Sequence, residues 1–198
     1  MNAYDTLPRD DQAKVDRLLA DTAANGGLAP VDLDAFWRDQ ATARRDPFAK
    51  DAPQCCFGAS LNWECVFDEL GLEEDYWRYQ HSDSAMGHLL PQLAELDLTG
   101  TNFGPTLTVT EIRRHCPKAV IDGQLAPFTY SRNETPNMVA EFLRDFAQAR
   151  EARGLNFATA GSINNGTRLT SMRLLMAAIQ RHGRCFGFSE NGGCGIVA

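Results

Sequence analysis

The chain has 198 residues, of which 43% are hydrophobic and 23% charged, and its formal net charge is −7. These values are typical of a globular protein with one domain or one and a half. The acidic balance and the scattered basic residues predict no nucleic-acid binding, which needs clustered Lys and Arg. Because no apolar run reaches about 18 residues, no membrane-spanning helix is expected.

Residues 1–17 are polar and acidic and lack the basic segment and apolar core of a signal peptide, so we predict a cytoplasmic protein. The six cysteines include no Cys-x-x-Cys pair, and reduced thiols are expected in that compartment. The alternative is a thiol–metal module built on five of them: Cys55, Cys56, Cys65, Cys185 and Cys194. An adjacent pair followed by an eight-residue gap matches no common zinc spacing, which disfavours that module.

The first part of the chain predicts helices. Residues 10–22 and 32–43 carry apolar side chains at helical spacing, and the Asn-Gly-Gly sequence at 25–27 ends the first helix. We expect Phe36 and Trp37 to anchor the second helix in the core.

A short buried strand is predicted at 54–58, and a further helix at 63–70, which Gly71 ends. Residues 72–79 show neither turn chemistry nor a convincing strand. The pattern becomes regular only after them.

From residue 80 to residue 183, short apolar runs that end in polar residues alternate with helical patterns, four times over. The strand-end segments are 80–83, 101–104, 121–124 and 160–166. This alternation is typical of a (β/α) barrel of the TIM type, whose active site lies at the carboxyl ends of its strands. Four units make half a barrel, so we predict an α/β fold with a partial barrel behind a helical N-terminal segment.

The helix signals of this region are local. Thr108 and Glu111 are spaced as a capping box, and Thr135-Pro136 places a cap and a first-turn proline at the start of the next helix. The last helix is predicted to turn five apolar residues inward and to end at Gly183. Those five residues are Leu169, Met172, Leu175, Met176 and Ile179.

The strand ends supply the candidate site residues, which are His81, Asp83, Asn102, Asp122, Gln124, Ser162, Asn164 and Asn165. One imidazole, two carboxylates and several amides suit acid–base catalysis or the anchoring of a polar substrate. We assign His81 and Asp83 to catalysis and the other six to substrate binding. Ser162 lacks the Gly-x-Ser-x-Gly sequence of an activated nucleophile.

Two of these segments have more than one interpretation. His81 and Asp83 have the spacing of a metal pair, but spacing alone favours a structural role in which Asp83 or Ser84 caps the following helix. The Asn-Asn-Gly sequence at 164–166 precedes a helix N-terminus, where backbone amides can hold an anion, although most such turns hold only water.

Four segments together resemble the uroporphyrinogen decarboxylase superfamily, which also contains the corrinoid-dependent methyltransferases. They read His-Ser-Asp-Ser-Ala-Met-Gly at 81–87, Asn-Phe-Gly-Pro-Thr at 102–106, Ile-Asp-Gly-Gln-Leu-Ala-Pro-Phe at 121–128 and Thr-Ala-Gly-Ser-Ile-Asn-Asn-Gly at 159–166. The resemblance covers residues 79–183. Phe36-Trp37 and residues 65–71 resemble the opening region of the same family.

The resemblance implies a (β/α)8 barrel with its cleft at the strand ends, from which the middle is missing. It divides the chain into an N-terminal segment at 1–77, the C-terminal half of a barrel at 78–183 and a glycine-rich tail at 184–198. The chain is then either an internally shortened member of the superfamily or the product of a gene-assembly artefact, joined near residues 77–79.

The chain also departs from the family pattern. The decarboxylases carry an Arg-rich motif on an early strand and a histidine on a late strand; the first has no counterpart here, and the late-strand region reads Ala160-Gly161-Ser162. The zinc methyltransferases carry His-x-Cys and a distant Cys. Here Asp83 replaces the first of these cysteines, so His81 is the matching histidine but no zinc site is carried over.

The resemblance implies a lyase that decarboxylates a tetrapyrrole in porphyrin biosynthesis, and no cofactor is certain. The alternative is a corrinoid-dependent methyltransferase-like protein, with a corrinoid or zinc as its cofactor. The small-molecule partner would be a tetrapyrrole or a methyl-corrinoid. A third reading is a non-catalytic remnant that forms a homo-oligomer through its open barrel edges.

Overall fold

A computed structural model of the chain describes residues 2–45, 55–58, 78–149 and 153–183. The predicted helix at 63–70 and the tail at 184–198 lie outside these residues, as do Cys65, Cys185 and Cys194. None of the described helices is both long enough and apolar enough to cross a bilayer.

Five parallel strands form one sheet. They are β1 Cys55–Gly58, β2 Tyr79–Ser82, β3 Gly100–Phe103, β4 Val120–Leu125 and β5 Leu155–Thr159. The last four are neighbours in chain order, and β1 pairs with the free side of β5, so the spatial order is β1-β5-β4-β3-β2. The predicted α/β class is confirmed as a parallel sheet flanked by helices. The described strands form an open sheet whose edges are β1 and β2.

Helices connect the strands and precede them. They are α1 Arg9–Ala24, α2 Leu33–Arg45, α3 Leu90–Ala94, α4 Val109–His115, α5 Pro127–Ser131, α6 Thr135–Ala149 and α7 Leu169–His182, with 3-10 turns at Tyr4–Thr6 and Gly87–Leu89. The predicted capping box is confirmed, since Thr108 Oγ1 accepts from the Glu111 N–H while the Glu111 carboxylate accepts from the Thr108 N–H.

The two faces of the sheet differ in chemistry, because successive residues of a strand point to opposite sides. Ile121, Leu155 and Phe157 lie on one side and are buried against helices, with the Phe142 ring of α6 edge-on to Phe157 at 5.2 Å. We call this side the apolar face. It accounts for most of the strand residues in the core.

The opposite side is the polar face, defined by Tyr79, His81, Asn102, Asp122 and Asn156. Strand register aligns these residues: the Cα of His81 pairs with that of Asn102, and the Cα of Asp122 with that of Asn156. The polar residues at neighbouring strand positions therefore form a row across the sheet.

The N-terminal helices pack on the outer layer of the fold. Val15 and Leu18 of α1 are buried in the same core as the sheet. Asp32 and Gln180 exchange two hydrogen bonds of 2.9 Å each, which fix the start of α2 beside the last helix. The N-terminal segment is thus held by the helices that follow β4 and β5.

The structure corrects several details of the predicted helices. Leu169 was expected to point inward but is 81% exposed, because α7 begins at that residue and its buried face starts at Ser171. Trp37 is half-exposed, while its neighbour Phe36 is the buried anchor. A helix that carries Leu89, Leu90, Leu93 and Leu96 is predicted from the sequence, but α3 covers only Leu90–Ala94, and Leu89 and Leu96 lie outside it and are exposed. The predicted end of the last helix at Gly183 is confirmed, and the glycine has a φ of −79° there rather than the left-handed conformation.

Candidate functional site

A buried carboxylate lies at the centre of the polar face. Tyr79 Oη donates a hydrogen bond of 2.9 Å to Asp122 Oδ2, and Asn156 Nδ2 donates one of 2.5 Å to Asp122 Oδ1. Burial raises the pKa of Asp122 to about 6, although both hydrogen bonds oppose this rise. Burial and the charge of Asp122 also raise the pKa of the Tyr79 phenol.

Asn102 joins this network from the neighbouring strand. Its Nδ2 donates to the Asp122 carbonyl at 2.9 Å and to the Thr159 carbonyl at 3.1 Å. One side chain therefore connects β3, β4 and the end of β5. The predicted residues Asn102 and Asp122 are brought together, in the interior of the polar face.

His81 and Asp83 form an exposed pair at the carboxyl end of β2. His81 Nε2 lies 3.4 Å from Asp83 Oδ1, and the side chains are 53% and 62% exposed. The interpretation of Asp83 or Ser84 as a helix cap is not what the structure shows, since the following 3-10 turn is capped by Met86 without a side-chain hydrogen bond. An accessible imidazole beside a carboxylate is an arrangement that transfers protons.

The Asp83 segment rests on two glycines from other strand ends. A Cβ at Gly104, after β3, would lie 2.9 Å from the Asp83 carbonyl oxygen. A Cβ at Gly161, after β5, would lie 2.6 Å from Asp83 Oδ1. At Gly104 the added atom would meet backbone, so this position requires glycine, whereas at Gly161 it would meet a side chain and glycine is favoured by the φ of +124°. The ends of β2, β3 and β5 therefore meet around Asp83.

Gln124 has a structural role. Its Nε2 donates to the carbonyl oxygens of Gly104 and Leu107 at 3.2 and 2.7 Å, which holds the loop between β3 and α4. The side chain is 1% exposed, and the contacts of its amide nitrogen are with the backbone of this loop.

Helix α6 carries two buried acids, of which Glu141 contacts the segment after β4 and Asp145 pairs within the helix. Glu141 accepts hydrogen bonds from the Ala126 N–H and from Thr129 Oγ1, at 2.8 and 2.7 Å. Asp145 pairs with Arg144 at 2.8 Å. Burial raises the pKa of both acids, that of Asp145 to about 6. Their partners are structural groups, and they face away from the polar face.

Ser162, Asn164 and Asn165 lie exposed in the loop between β5 and α7. They are at the same end of the sheet as Asp83 but share no hydrogen bond with it. Asn133 Oδ1 accepts from the Arg168 N–H and from Ser171 Oγ, at 2.9 and 2.8 Å. The Asn133 side chain therefore occupies the Arg168 N–H, one of the backbone amides at the start of α7. The predicted anion site would use amides of this helix start.

Two residues of the network were missing from the prediction. Tyr79 belongs to a segment that reads as irregular in sequence, and Asn156 stands alone in an apolar strand. Their shared partner Asp122 is 43 and 34 positions away along the chain. The available signal was a lone amide in a strand that is otherwise apolar, which indicates a buried polar contact.

The residues do not fit a zinc ion. A catalytic zinc site needs three protein ligands, and His81 and Asp83 provide two. Among the described residues, no cluster of three or more His, Cys, Asp or Glu side chains has the arrangement of a metal site. Cys116 is a buried free thiol in the core, and burial raises its pKa.

Comparison with known proteins gives no relative: no family model matches the chain, and neither a curated protein nor a solved structure is significantly similar to it.

Proposed function

We propose that this protein is a uroporphyrinogen decarboxylase-like lyase that removes a carboxyl group from a side chain of a tetrapyrrole. The single observation that carries the proposal is the accessible His81–Asp83 pair at the strand ends, with Nε2 and Oδ1 3.4 Å apart. The resemblance of the strand-end segments supplies the substrate class, and the pair supplies a group that can move a proton.

Decarboxylation breaks the bond between the side-chain CH2 and its carboxyl group. Carbon dioxide leaves, and the electron pair that stays on the substrate takes up one proton to complete a methyl group. Protonated His81 would donate that proton, because imidazole is the side chain that exchanges protons near neutral pH. Asp83 would orient the ring. The step needs no oxidant and no cofactor.

The strand order supports a barrel as the fold in which this site works. In a closed (β/α) barrel the first strand pairs with the last, as β1 pairs with β5 here. The remaining edges, β1 and β2, are where additional strands would complete the cylinder. This arrangement is compatible with the internally shortened barrel inferred from the sequence.

The two open edges favour a second candidate, a half-barrel module without catalysis that associates with another copy of itself. Size-exclusion chromatography and near-UV circular dichroism test this candidate. A dimer with a sharp thermal transition supports it, while a compact monomer with the same transition argues against it.

Methyl transfer from a corrinoid gains no support from the site, since the zinc ligands do not fit.

The test of the lyase is turnover of uroporphyrinogen, followed by chromatography of the oxidised porphyrin products. We expect His81→Ala to lower the rate by roughly 100-fold or more, the usual loss for a general acid. His88→Ala is the matched control, because His88 is an exposed histidine of the neighbouring 3-10 turn and should leave the rate unchanged. Absence of turnover in the unmodified protein, or equal rates in the two variants, would refute the proposal.

A further inference from the structure

The polar face holds hydrogen-bond acceptors without donors. Among the described residues, the Oδ1 atoms of Asn102 and Asn156 have no hydrogen-bond partner, although the two residues are only 8% and 5% exposed. Buried polar atoms are normally paired, and leaving one unpaired is costly. The two atoms lie on the strands that flank the strand of Asp122, and each can accept a hydrogen bond that no described residue donates.

The orientation of both amides is fixed by their other bonds. Asn102 Nδ2 lies between two carbonyl oxygens, those of Asp122 and Thr159, and Asn156 Nδ2 contacts the Asp122 carboxylate. Turning either amide over would place oxygen against oxygen. The unpartnered atoms are therefore carbonyl oxygens, and what they lack is a donor.

Asp122 contributes the charge. It is 4% exposed, and its hydrogen-bond donors are the neutral groups of Tyr79 and Asn156. Within the described ranges, no arginine, lysine or histidine forms an ion pair with it. A buried carboxylate without a cation is unfavourable, so a positively charged donor would stabilise this arrangement.

We propose that Asp122, Asn102 and Asn156 form a binding site for the primary ammonium group of a small molecule. One carboxylate matches one positive charge, and two amide oxygens with a carboxylate oxygen match three N–H donors. The assignment is independent of decarboxylation, because the ammonium group binds in the interior of the polar face and not at the exposed His81–Asp83 pair.

Other cations match the site less well. Calcium takes six to eight oxygen ligands, and magnesium needs octahedral coordination, commonly with carboxylates and water. A guanidinium group binds both oxygens of a carboxylate side by side, but each oxygen of Asp122 already accepts a hydrogen bond from a protein group. An ammonium group needs only one further lone pair of the carboxylate.

The test is the thermal unfolding midpoint of the whole chain, titrated with methylammonium chloride at about pH 7.5, where Asp122 is ionised. Choline chloride at equal concentration controls for ionic strength, since its quaternary nitrogen carries the same charge and no N–H. We expect the unfolding midpoint to rise with methylammonium and not with choline. The rise should saturate and reach roughly 5 °C at a hundredfold excess over the dissociation constant. Equal rises with both salts would overturn the proposal.

Variants localise the binding. Asp122→Asn keeps the shape of the side chain and removes the charge, and we expect it to abolish the methylammonium-specific rise. Asp145→Asn is the matched control, because it removes a buried acid that pairs with Arg144 on the helix side, and the rise should persist. A rise that survives in Asp122→Asn contradicts the assignment.

Two further measurements keep the test decisive. If Asp122→Asn does not fold by circular dichroism, Asn102→Ala takes its place, with an expected loss of affinity of about tenfold for one deleted hydrogen bond. Potassium and magnesium chlorides are titrated in parallel. A larger saturating rise with either metal salt than with methylammonium would show that the site takes a metal ion, which overturns the ammonium assignment.

Discussion

The carboxylate of Asp83 lies against the backbone of Gly161, so closely that a Cβ at position 161 would be 2.6 Å from Oδ1. The two residues belong to the ends of β2 and β5, which are not neighbours in the sheet. The same oxygen, Asp83 Oδ1, lies 3.4 Å from His81 Nε2. The carboxylate oxygen of the proposed catalytic pair therefore occupies space that a side chain at position 161 would need.

Gly161→Ala should destabilise the protein and displace Asp83. Gly161 has a φ of +124°, which L residues rarely adopt, and the added methyl group collides with the carboxylate. We expect a loss of about 1 to 3 kcal/mol in the free energy of unfolding, measured with denaturant. Gly166→Ala is the control, since its φ of +94° is also strained but its nearest contact is 3.7 Å away. Equal losses in the two variants would show that the Asp83 contact has no effect.

The stability of the protein should fall as the pH rises from about 4 to about 6. Burial raises the pKa of Asp122 from 3.8 to about 6, so the folded state binds a proton that the unfolded chain has released in this window. A pKa shift of this size corresponds to about 3 kcal/mol of unfolding free energy. This stabilisation is present below the pKa of the acid in the unfolded chain, and it is lost above its pKa in the folded protein. The raised pKa of Asp145 acts in the same direction.

Asp122→Asn should flatten this pH dependence, because it removes one of the three acids, Asp122, Glu141 and Asp145, whose pKa is raised by burial. The measurement is a series of denaturant unfolding curves across the same pH range for the unmodified protein and the variant. Asp145→Asn should flatten the curve by a similar amount, and the double variant should flatten it further. If the unfolding free energy of Asp122→Asn changes with pH as steeply as that of the unmodified protein, the Asp122 carboxyl group does not titrate in this pH range.

Thr108→Ala should cost about 1 kcal/mol of unfolding free energy, the usual value of a helix N-cap. Thr108 forms both bonds of the capping box with Glu111 at the start of α4. Thr106→Ala is the control, because Thr106 is an exposed residue of the preceding turn. Chemical denaturation of both variants measures the difference, and equal stability would contradict the role of the cap.

Asn133→Ala should also cost about 1 kcal/mol or more, since its side chain joins the end of α5 to the start of α7. It accepts from the Arg168 N–H and Ser171 Oγ and donates to the Gly166 carbonyl. Asn165→Ala, in the exposed loop nearby, should change the stability little. A larger loss of unfolding free energy in Asn165→Ala than in Asn133→Ala would contradict the structural role of Asn133.

The sequence predicted those elements whose signals are local. The helix of residues 10–22, the strand at 54–58 and the capping box at Thr108 follow from spacing and caps, and the structure confirms them. The short helix Pro127–Ser131 was missed because five residues are too few to show a helical period. Leu169 was misplaced because a helix end leaves its first turn outside the core.

The candidate site was predicted only in part, for a physical reason. Polar strand ends indicated His81, Asp83, Asn102 and Asp122. The hydrogen bonds among strands depend on sheet register, which no local pattern contains. The register places Asn156 beside Asp122 on the polar face. Only the folded structure shows which amide oxygens have no donor among the described residues.

The most direct test of the proposed lyase is the incubation of uroporphyrinogen with the protein in deuterated water, followed by mass spectrometry of the products. If His81 protonates the carbon left by carbon dioxide, each new methyl group carries one deuterium, and His81→Ala forms this product roughly 100-fold more slowly. Uroporphyrinogen recovered with all its carboxyl groups, or deuterated product formed equally fast by His81→Ala, would contradict the account.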